Sequence, residues 1–394
     1  MPRPHGEGFA DFVTPLDTIG YCGDCSFDVY NDDHLQMPPD TVAARAQPAA
    51  CPLASPNKRT IMEYRRLGAS GLEVSTLCVG TMTFGDRTDA AESRRIVDAA
   101  YAAGVNFIDT ADVYGNGVSE GIVGPAIRAN RRRWILATKA GNAMTAKPHD
   151  GGLSRRWVLA ACDDSLARLG TDYIDIYYLH RDDFGTPIAE TVGAIGDLIR
   201  GGKIRYFGVS NYRGWRIAEV VSECEAQGVP LPVVCQPYYN LLNRTPEVEI
   251  LPACDHYGIG VAPYSPIARG LLTGKYRPGV VPKDSRAGRK DARMMETEFR
   301  EESLAIAQIL QAHAEKTGRT ATQFALAWLW ANAIVTSVIA GPRTLDQWQD
   351  YVAAVGTKWN EEDEALVDSL VTPGHPSTPG YNDPQYPFHG RILE

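Results

Sequence analysis

From residue 62 onward the chain alternates short apolar runs with longer amphipathic stretches, and that alternation constrains its fold more than any other feature. Apolar strand candidates fall at 77–80, 106–109, 134–138, 173–179, 204–209, 233–236, 259–263 and 335–339. Between them lie helical patterns, among them Glu92 to Ala103, Ser154 to Leu169, Ala189 to Arg200 and Trp215 to Gln227. A helix end leaves carbonyls unpaired, and a glycine in the left-handed conformation closes it. Gly104, Gly170, Gly201 and Gly228 stand where these patterns stop. A strand that returns through a helix pairs parallel to its predecessor. Eight such units in roughly 290 residues match a single-domain α/β fold, the (β/α)8 TIM barrel. The rival is an open doubly wound sheet, whose first strand normally leads into GxGxxG. Here that strand runs into Gly80-Thr81-Met82-Thr83-Phe84-Gly85. The barrel is the expectation.

The first 61 residues differ in character. They are rich in Pro, Asp and Ala and sustain no period, so they read as a poorly ordered extension preceding the barrel at 62–394. Cys22-Gly23-Asp24-Cys25, with His34 and Cys51 further on, lacks the second ligand pair of a zinc finger, and no metal is expected. Ordered-looking sequence begins at Met62, which is itself a candidate start. A net charge of −9 argues against nucleic acid and anionic membrane surfaces as partners. No apolar run is long enough to span a membrane, and the N-terminus lacks an export signal. The chain's eight cysteines are then expected to be reduced, and the location cytoplasmic.

In a (β/α)8 barrel the C-terminal ends of the strands converge on one face, where catalysis sits. Those ends carry Thr81 and Met82, Asp109, Lys139, His180, Ser210 and Asn211, Gln236, Tyr264 and Ser265, and Gly341 with Arg343. Tyr114 follows Asp109 closely. A free tyrosine, with a pKa near 10, is a poor proton donor at neutral pH. A lysine ammonium beside it favours the phenolate and is expected to lower that pKa. An aspartate paired with the lysine keeps it charged and in place, and a histidine orients a substrate oxygen. Asp109, Tyr114, Lys139 and His180 thus form the equipment to protonate an oxygen as hydride reaches carbon.

Several stretches carry a resemblance. They are Met62-Glu63-Tyr64-Arg65-Arg66-Leu67-Gly68, Gly80 to Gly85, Phe107-Ile108-Asp109-Thr110-Ala111-Asp112-Val113-Tyr114-Gly115, Thr171-Asp172-Tyr173-Ile174-Asp175, Gly208-Val209-Ser210-Asn211 and Tyr264-Ser265-Pro266-Ile267-Ala268-Arg269-Gly270. In this order, over nearly all of 62–360, the chain resembles the aldo-keto reductases, NAD(P)H-dependent carbonyl reductases built on a (β/α)8 barrel. The resemblance implies that Asp109, Tyr114, Lys139 and His180 are the catalytic four, with Tyr114 as general acid. It implies NADP as cofactor and a small-molecule carbonyl compound as substrate. Tyr264 would stack on the nicotinamide, while Ser210, Asn211 and Gln236 hydrogen-bond its carboxamide beside Thr81 and Met82. Ser265, Pro266, Ile267, Ala268 and Arg269, followed by Leu271 to Lys275, look like the family's pyrophosphate loop. Gly341 to Gln347 opens a helix whose N-terminus favours an anion. Lys275, Arg286 and Arg343 fit a 2′-phosphate and adenine grip. The chain departs from the family where Glu-Asn is common beside the adenine; here it has Asp350-Tyr351.

Two other classes of function fit parts of this pattern. A lyase could use Lys139 as a Schiff-base nucleophile, but it would not need Tyr264, Gln236 or the basic grip. A cofactor-sensing regulatory module is suggested by the channel β-subunits of the same family, which lack a histidine at the position of His180. Elsewhere the sequence reads as structure. Arg131-Arg132-Arg133 is expected to be a solvated helix cap, and Cys78, Cys162, Cys224, Cys235 and Cys254 small core residues. The tail from about 372 lacks a helical period, so either side of the barrel is open to it.

Overall fold

The computed structural model describes residues 62–277 and 279–386. The expected extension over 1–61, with its cysteines, lies outside the described residues. The described chain opens with a hairpin, β1 (Tyr64–Arg66) and β2 (Glu73–Ser75), paired antiparallel. Parallel strands follow: β3 (Leu77–Gly80), β4 (Phe107–Asp109), β5 (Ile135–Ala140), β6 (Ile174–Leu179), β7 (Ile204–Ser210), β8 (Val234–Gln236), β9 (Gly260–Val261) and β10 (Val338–Ala340). Their spatial order is β10-β3-β4-β5-β6-β7-β8-β9. The sheet curls until its edges meet. Val261 bridges Val335, Thr336 N–H donates to Val261 O at 2.8 Å, and Ile339 N–H donates to Pro263 O at 3.1 Å. This is the (β/α)8 barrel. Regular pairing in β9 and β10 is shorter than the candidates 259–263 and 335–339, because isolated bridges replace a continuous ladder at the closing seam.

The helices are α1 (Ala90–Ala102), α2 (Val118–Ile127), α3 (Arg155–Leu169), α4 (Ile188–Arg200), α5 (Gly214–Gln227), α6 (Ile250–His256), α7 (Ala292–Thr297), α8 (Glu301–Lys316), α9 (Ala321–Ala331), α10 (Leu345–Ala354) and α11 (Glu361–Leu370). Their starts follow local chemistry. Asp89 accepts from Glu92 N–H at 2.8 Å and Ser154 from Trp157 N–H at 3.4 Å, satisfying donors that the helix cannot. Gly170 and Gly228 end α3 and α5 in the left-handed conformation, as expected. The end of α4 differs. Gly201 keeps a helical φ of −73° and the left-handed residue is Gly202, so the chain turns one residue later than the sequence suggests.

Strand parity explains how the site is assembled. Leu67, Cys78, Phe107, Ile135, Ala137, Ile176, Tyr178, Val234, Ala262 and Ile339 form one buried cluster, the barrel interior. Side chains two residues apart on a strand share a face. Asp109 therefore follows Phe107 inward, Lys139 follows Ala137, and Gln236 follows Val234, while His180 and Tyr264 continue the inward rows one step past Tyr178 and Ala262. Apolar layers fill the lower barrel and the polar layer sits on top. The bottom is closed by the hairpin turn, where Gly68 (φ +57°) packs on β8 and β9. A Cβ there would stand 2.5 Å from Gly258 O and 2.8 Å from Val233 O, so only glycine fits.

Two expectations are corrected or resolved. Arg131 is not a solvated cap. It pairs with Asp175 at 2.8 Å, donates to Tyr173 O at 2.8 Å and Trp134 O at 2.9 Å, and lies 4.1 Å over the Tyr173 ring. The guanidinium thereby ties the entries of β5 and β6 together, while Arg132 and Arg133 are exposed. Removing one partner of a largely buried pair strands the other charge. Arg131→Ala is expected to cost about 2 kcal/mol, read from the urea midpoint, and a change under about 0.5 kcal/mol would mean that the pair contributes little. The tail, as far as residue 386, lies on the side where the strands' C-terminal ends open. Ser377 N–H donates to Leu242 O at 2.9 Å, Arg293 donates to Asp383 at 2.7 Å, and Arg213 donates to Tyr386 O at 3.2 Å.

Candidate active site

The polar layer is one connected network. Lys139 Nζ donates to Asp109 Oδ1, to Thr110 O at 2.8 Å and to Tyr114 OH at 3.2 Å. Gln236 Nε2 donates to the other Asp109 oxygen at 3.0 Å. Thr81 Oγ1 donates to Asp109 O at 3.0 Å. Ser210 Oγ donates to Gln236 O at 2.9 Å, and Asn211 Nδ2 to His180 O at 2.9 Å. Tyr264 OH closes the chain on Asn211 Oδ1 at 2.9 Å. The Tyr114 and His180 rings meet edge to face, with centroids 5.9 Å apart.

Electrostatics assign a form to each group. Burial works against the Lys139 ammonium, but Asp109 and Tyr114 outweigh it and hold its pKa above the ordinary lysine value. Burial lifts the Asp109 carboxyl, against Lys139 and Gln236; with donors on both oxygens, its carboxylate form is the one this geometry holds. Tyr114 departs from the sequence expectation. Burial raises its pKa above 10, Lys139 pulls it down, and Asp109 adds to the rise. The phenol therefore keeps its proton, which suits a donor, and Lys139 limits how weak an acid it becomes. His180 is driven well below the usual imidazole range by burial, Lys139 and Arg181, so it is neutral. Its Nδ1 is buried and has no hydrogen-bond partner among the described residues.

A second group gathers beside this network, in the segment after β9. Ser265, Ala268 and Arg269 all have positive φ, 55°, 47° and 52°, so the loop is tightly coiled where Pro266 and Ile267 sit. Arg269 is paired with the fully buried Glu298 at 3.0 Å, which pins the loop to the end of α7. Lys275 Nζ lies over Gly270, where a Cβ would approach it to 2.5 Å. Burial lowers Lys275 to about 8, with Arg343, Arg286 and Arg289 adding repulsion. Arg286 is lowered too, by burial and then Arg269. Cations crowded in this way are relieved by an anion. Thr344 caps α10 beside them, and Gln347 turns back to accept from Arg343 N–H at 2.9 Å.

Not every sequence candidate joins these groups. Met82 is 42% exposed, and Gly341 and Asp350 are exposed without a hydrogen bond to either group. Tyr351, beside Asp350, is buried. The structure adds Tyr238, stacked on Tyr264 at 5.7 Å and donating to Glu298 at 2.8 Å, and Asn240, which donates to Ser265 O at 3.1 Å. Tyr238 was within reach of sequence reasoning, since it follows a strand end, whereas nothing in the aperiodic run before α8 marks Glu298.

The residues present, polar groups around Tyr264 at one end and a repelling cation cluster at the other, fit an elongated ligand that is polar at one end and anionic at the other. Among the described residues, no His, Cys, Asp and Glu side chains gather as a metal site. Nor is any helix there long and apolar enough to cross a membrane. The sequence profile of the aldo/keto reductase family matches residues 76–372. An "Uncharacterized oxidoreductase YrpG" from Bacillus subtilis is 36% identical over 336 residues, 82% of this chain and 99% of its own. An "L-glyceraldehyde 3-phosphate reductase" from Escherichia coli is 35% identical over 334 residues, covering 82% and 96%. A "Probable voltage-gated potassium channel subunit beta" from Arabidopsis thaliana is 38% identical over 300 residues, covering 75% and 91%. With a family profile spanning most of the barrel and relatives aligned over nearly their whole lengths, this chain belongs to the aldo/keto reductase family of oxidoreductases.

Proposed function

We propose that the chain is an NADPH-dependent reductase that converts an aldehyde or ketone to an alcohol, with Tyr114 as general acid. The observation that carries this reading is the Lys139 ammonium held between the Asp109 carboxylate and the Tyr114 hydroxyl. Bound reduced nicotinamide would supply the hydride. Tyr264 would stack on its ring, with Ser210, Asn211 and Gln236 around the carboxamide, while Lys275, Arg286 and Arg343 would hold the 2′-phosphate and Arg269 would shape the pyrophosphate loop. Tyr114 would give its proton to the carbonyl oxygen as charge develops there. Lys139 stabilises the phenolate left behind, and Asp109 keeps that lysine charged and positioned. The neutral His180 would donate an N–H to the same oxygen without competing for its proton.

The Schiff-base alternative requires a free amine on Lys139. Three acceptors and a raised pKa favour the ammonium instead. The kinship with channel subunits supports a regulatory reading only if chemistry is absent. Incubating the full chain with NADPH and a panel of aldehydes and ketones tests this by loss of reduced-cofactor absorbance. Tight NADPH binding with no turnover across the panel would leave the sensor reading in place of the reductase.

A further inference from the structure

Beside the site lies a cluster of buried polar side chains that the reaction above does not use. Asp112 is 1% exposed, and its backbone N–H donates to Lys139 O at 3.1 Å. Oδ1 accepts from Val113 N–H at 2.6 Å, while Oδ2 is buried without a hydrogen-bond partner among the described residues. Its neighbour on α2, Glu120, is fully buried and well supplied. Glu120 accepts from Thr138 Oγ1 at 2.5 Å and from Arg168 Nε at 2.6 Å. The Arg168 guanidinium pairs with Glu120 and acts on Asp112 only as a nearby charge. A buried carboxyl left with a single backbone donor retains a proton in preference to a charge. In keeping with this, burial and then Glu120 push Asp112 up to about 7, against the Val113 N–H, Arg168 and Lys139. The charged and titratable groups facing it are Glu120 from α2, Arg168 from α3, Lys139 from β5, Tyr177 from β6 and Tyr114 from its own loop.

We propose that Asp112 is a positioning residue for the reduction: uncharged, it sets the field in which Tyr114 releases its proton, and once ionised it weakens Tyr114 as an acid. The inference rests on the reading of Tyr114 as general acid. Its physical content is that a negative charge beside a developing phenolate opposes it, while Lys139 screens part of that effect. No proton passes from Asp112 to substrate, and Tyr114 remains the donor.

Asp112→Asn in the full-length protein tests this, because the amide mimics the protonated carboxyl and keeps an oxygen for Val113 N–H. With wild type, kcat/KM for carbonyl reduction should fall by about 3- to 10-fold as pH rises through the neutral range, and the variant should lose that step. Melting curves provide a readout free of chemistry. Between about pH 4, where an unfolded aspartate ionises, and about pH 7, the folded chain holds a proton that the unfolded chain has released. Wild-type stability therefore falls across that window and levels off above it. The variant lacks the penalty, so the two proteins should melt increasingly apart from pH 4 to 7, with the variant higher. A melting difference independent of pH, or superimposable pH–rate profiles, overturns the proposal. A wild-type chain that reduces no carbonyl would sink the reductase reading, while the melting curves would still report whether Asp112 holds its proton.

Discussion

Tyr114→Phe is expected to lower kcat for carbonyl reduction by about 10²-fold or more, the usual contribution of a general acid, with NADPH affinity nearly unchanged. The substitution removes one oxygen and little else. The ring that meets His180 edge to face and lies 4.8 Å from the Lys139 ammonium is retained. Lys139 keeps Asp109 and Thr110 O as acceptors, so the network around it should persist. The affinity for cofactor should hold because Tyr264, Asn211 and the cation cluster are reached through other strands. Single-turnover reduction separates chemistry from product release. Turnover close to wild type with a simple aldehyde would remove Tyr114 from the role and turn attention to His180.

Neutralising Lys275, Arg286 or Arg343 singly should raise the NADPH dissociation constant about tenfold and leave NADH almost unaffected. Charge-assisted contacts of this type are worth about 1.5–3 kcal/mol each, and only NADPH carries the extra phosphate. The structure bears on the size of the effect. Lys275 is depressed to about 8 by burial and by its cationic neighbours, so an arriving phosphate both pairs with it and relieves repulsion. Arg286 is partly engaged by Asp291 at 3.3 Å, which makes it the weakest of the three toward a ligand. Titration of each variant with both dinucleotides, followed by protein fluorescence, separates the cases. Equal losses for NADH and NADPH would assign these cations to the shared pyrophosphate or to the fold, and the NADP preference would be withdrawn.

Much of this architecture follows from local rules. The alternation of apolar runs with helical patterns placed the strands to within a few residues, because burial on a closed sheet leaves few other arrangements. Parity along each strand then carried Asp109, Lys139, His180 and Gln236 to one rim, and the short motif around Tyr114 placed the phenol beside them. What the sequence did not decide depends on distance and desolvation. Lysine beside tyrosine suggested a lowered phenol pKa, yet burial outweighs that attraction, and burial is a property of packing. Arg131 looked like a solvated cap because its partners, Asp175 and Tyr173, lie some 40 residues away.

By itself, then, the sequence of this chain determined the barrel and the set of strand-end side chains that converge, since both depend on periods of two and 3.6 residues and on short motifs read locally. Tertiary structure alone decided that the tail, as far as residue 386, lies on the side of the strands' C-terminal ends, that Glu298 holds Arg269, and that Arg168 is engaged by Glu120. Each of these joins segments distant in sequence through polar groups, whose energies depend on separation and on exclusion of water. No local pattern encodes those two quantities.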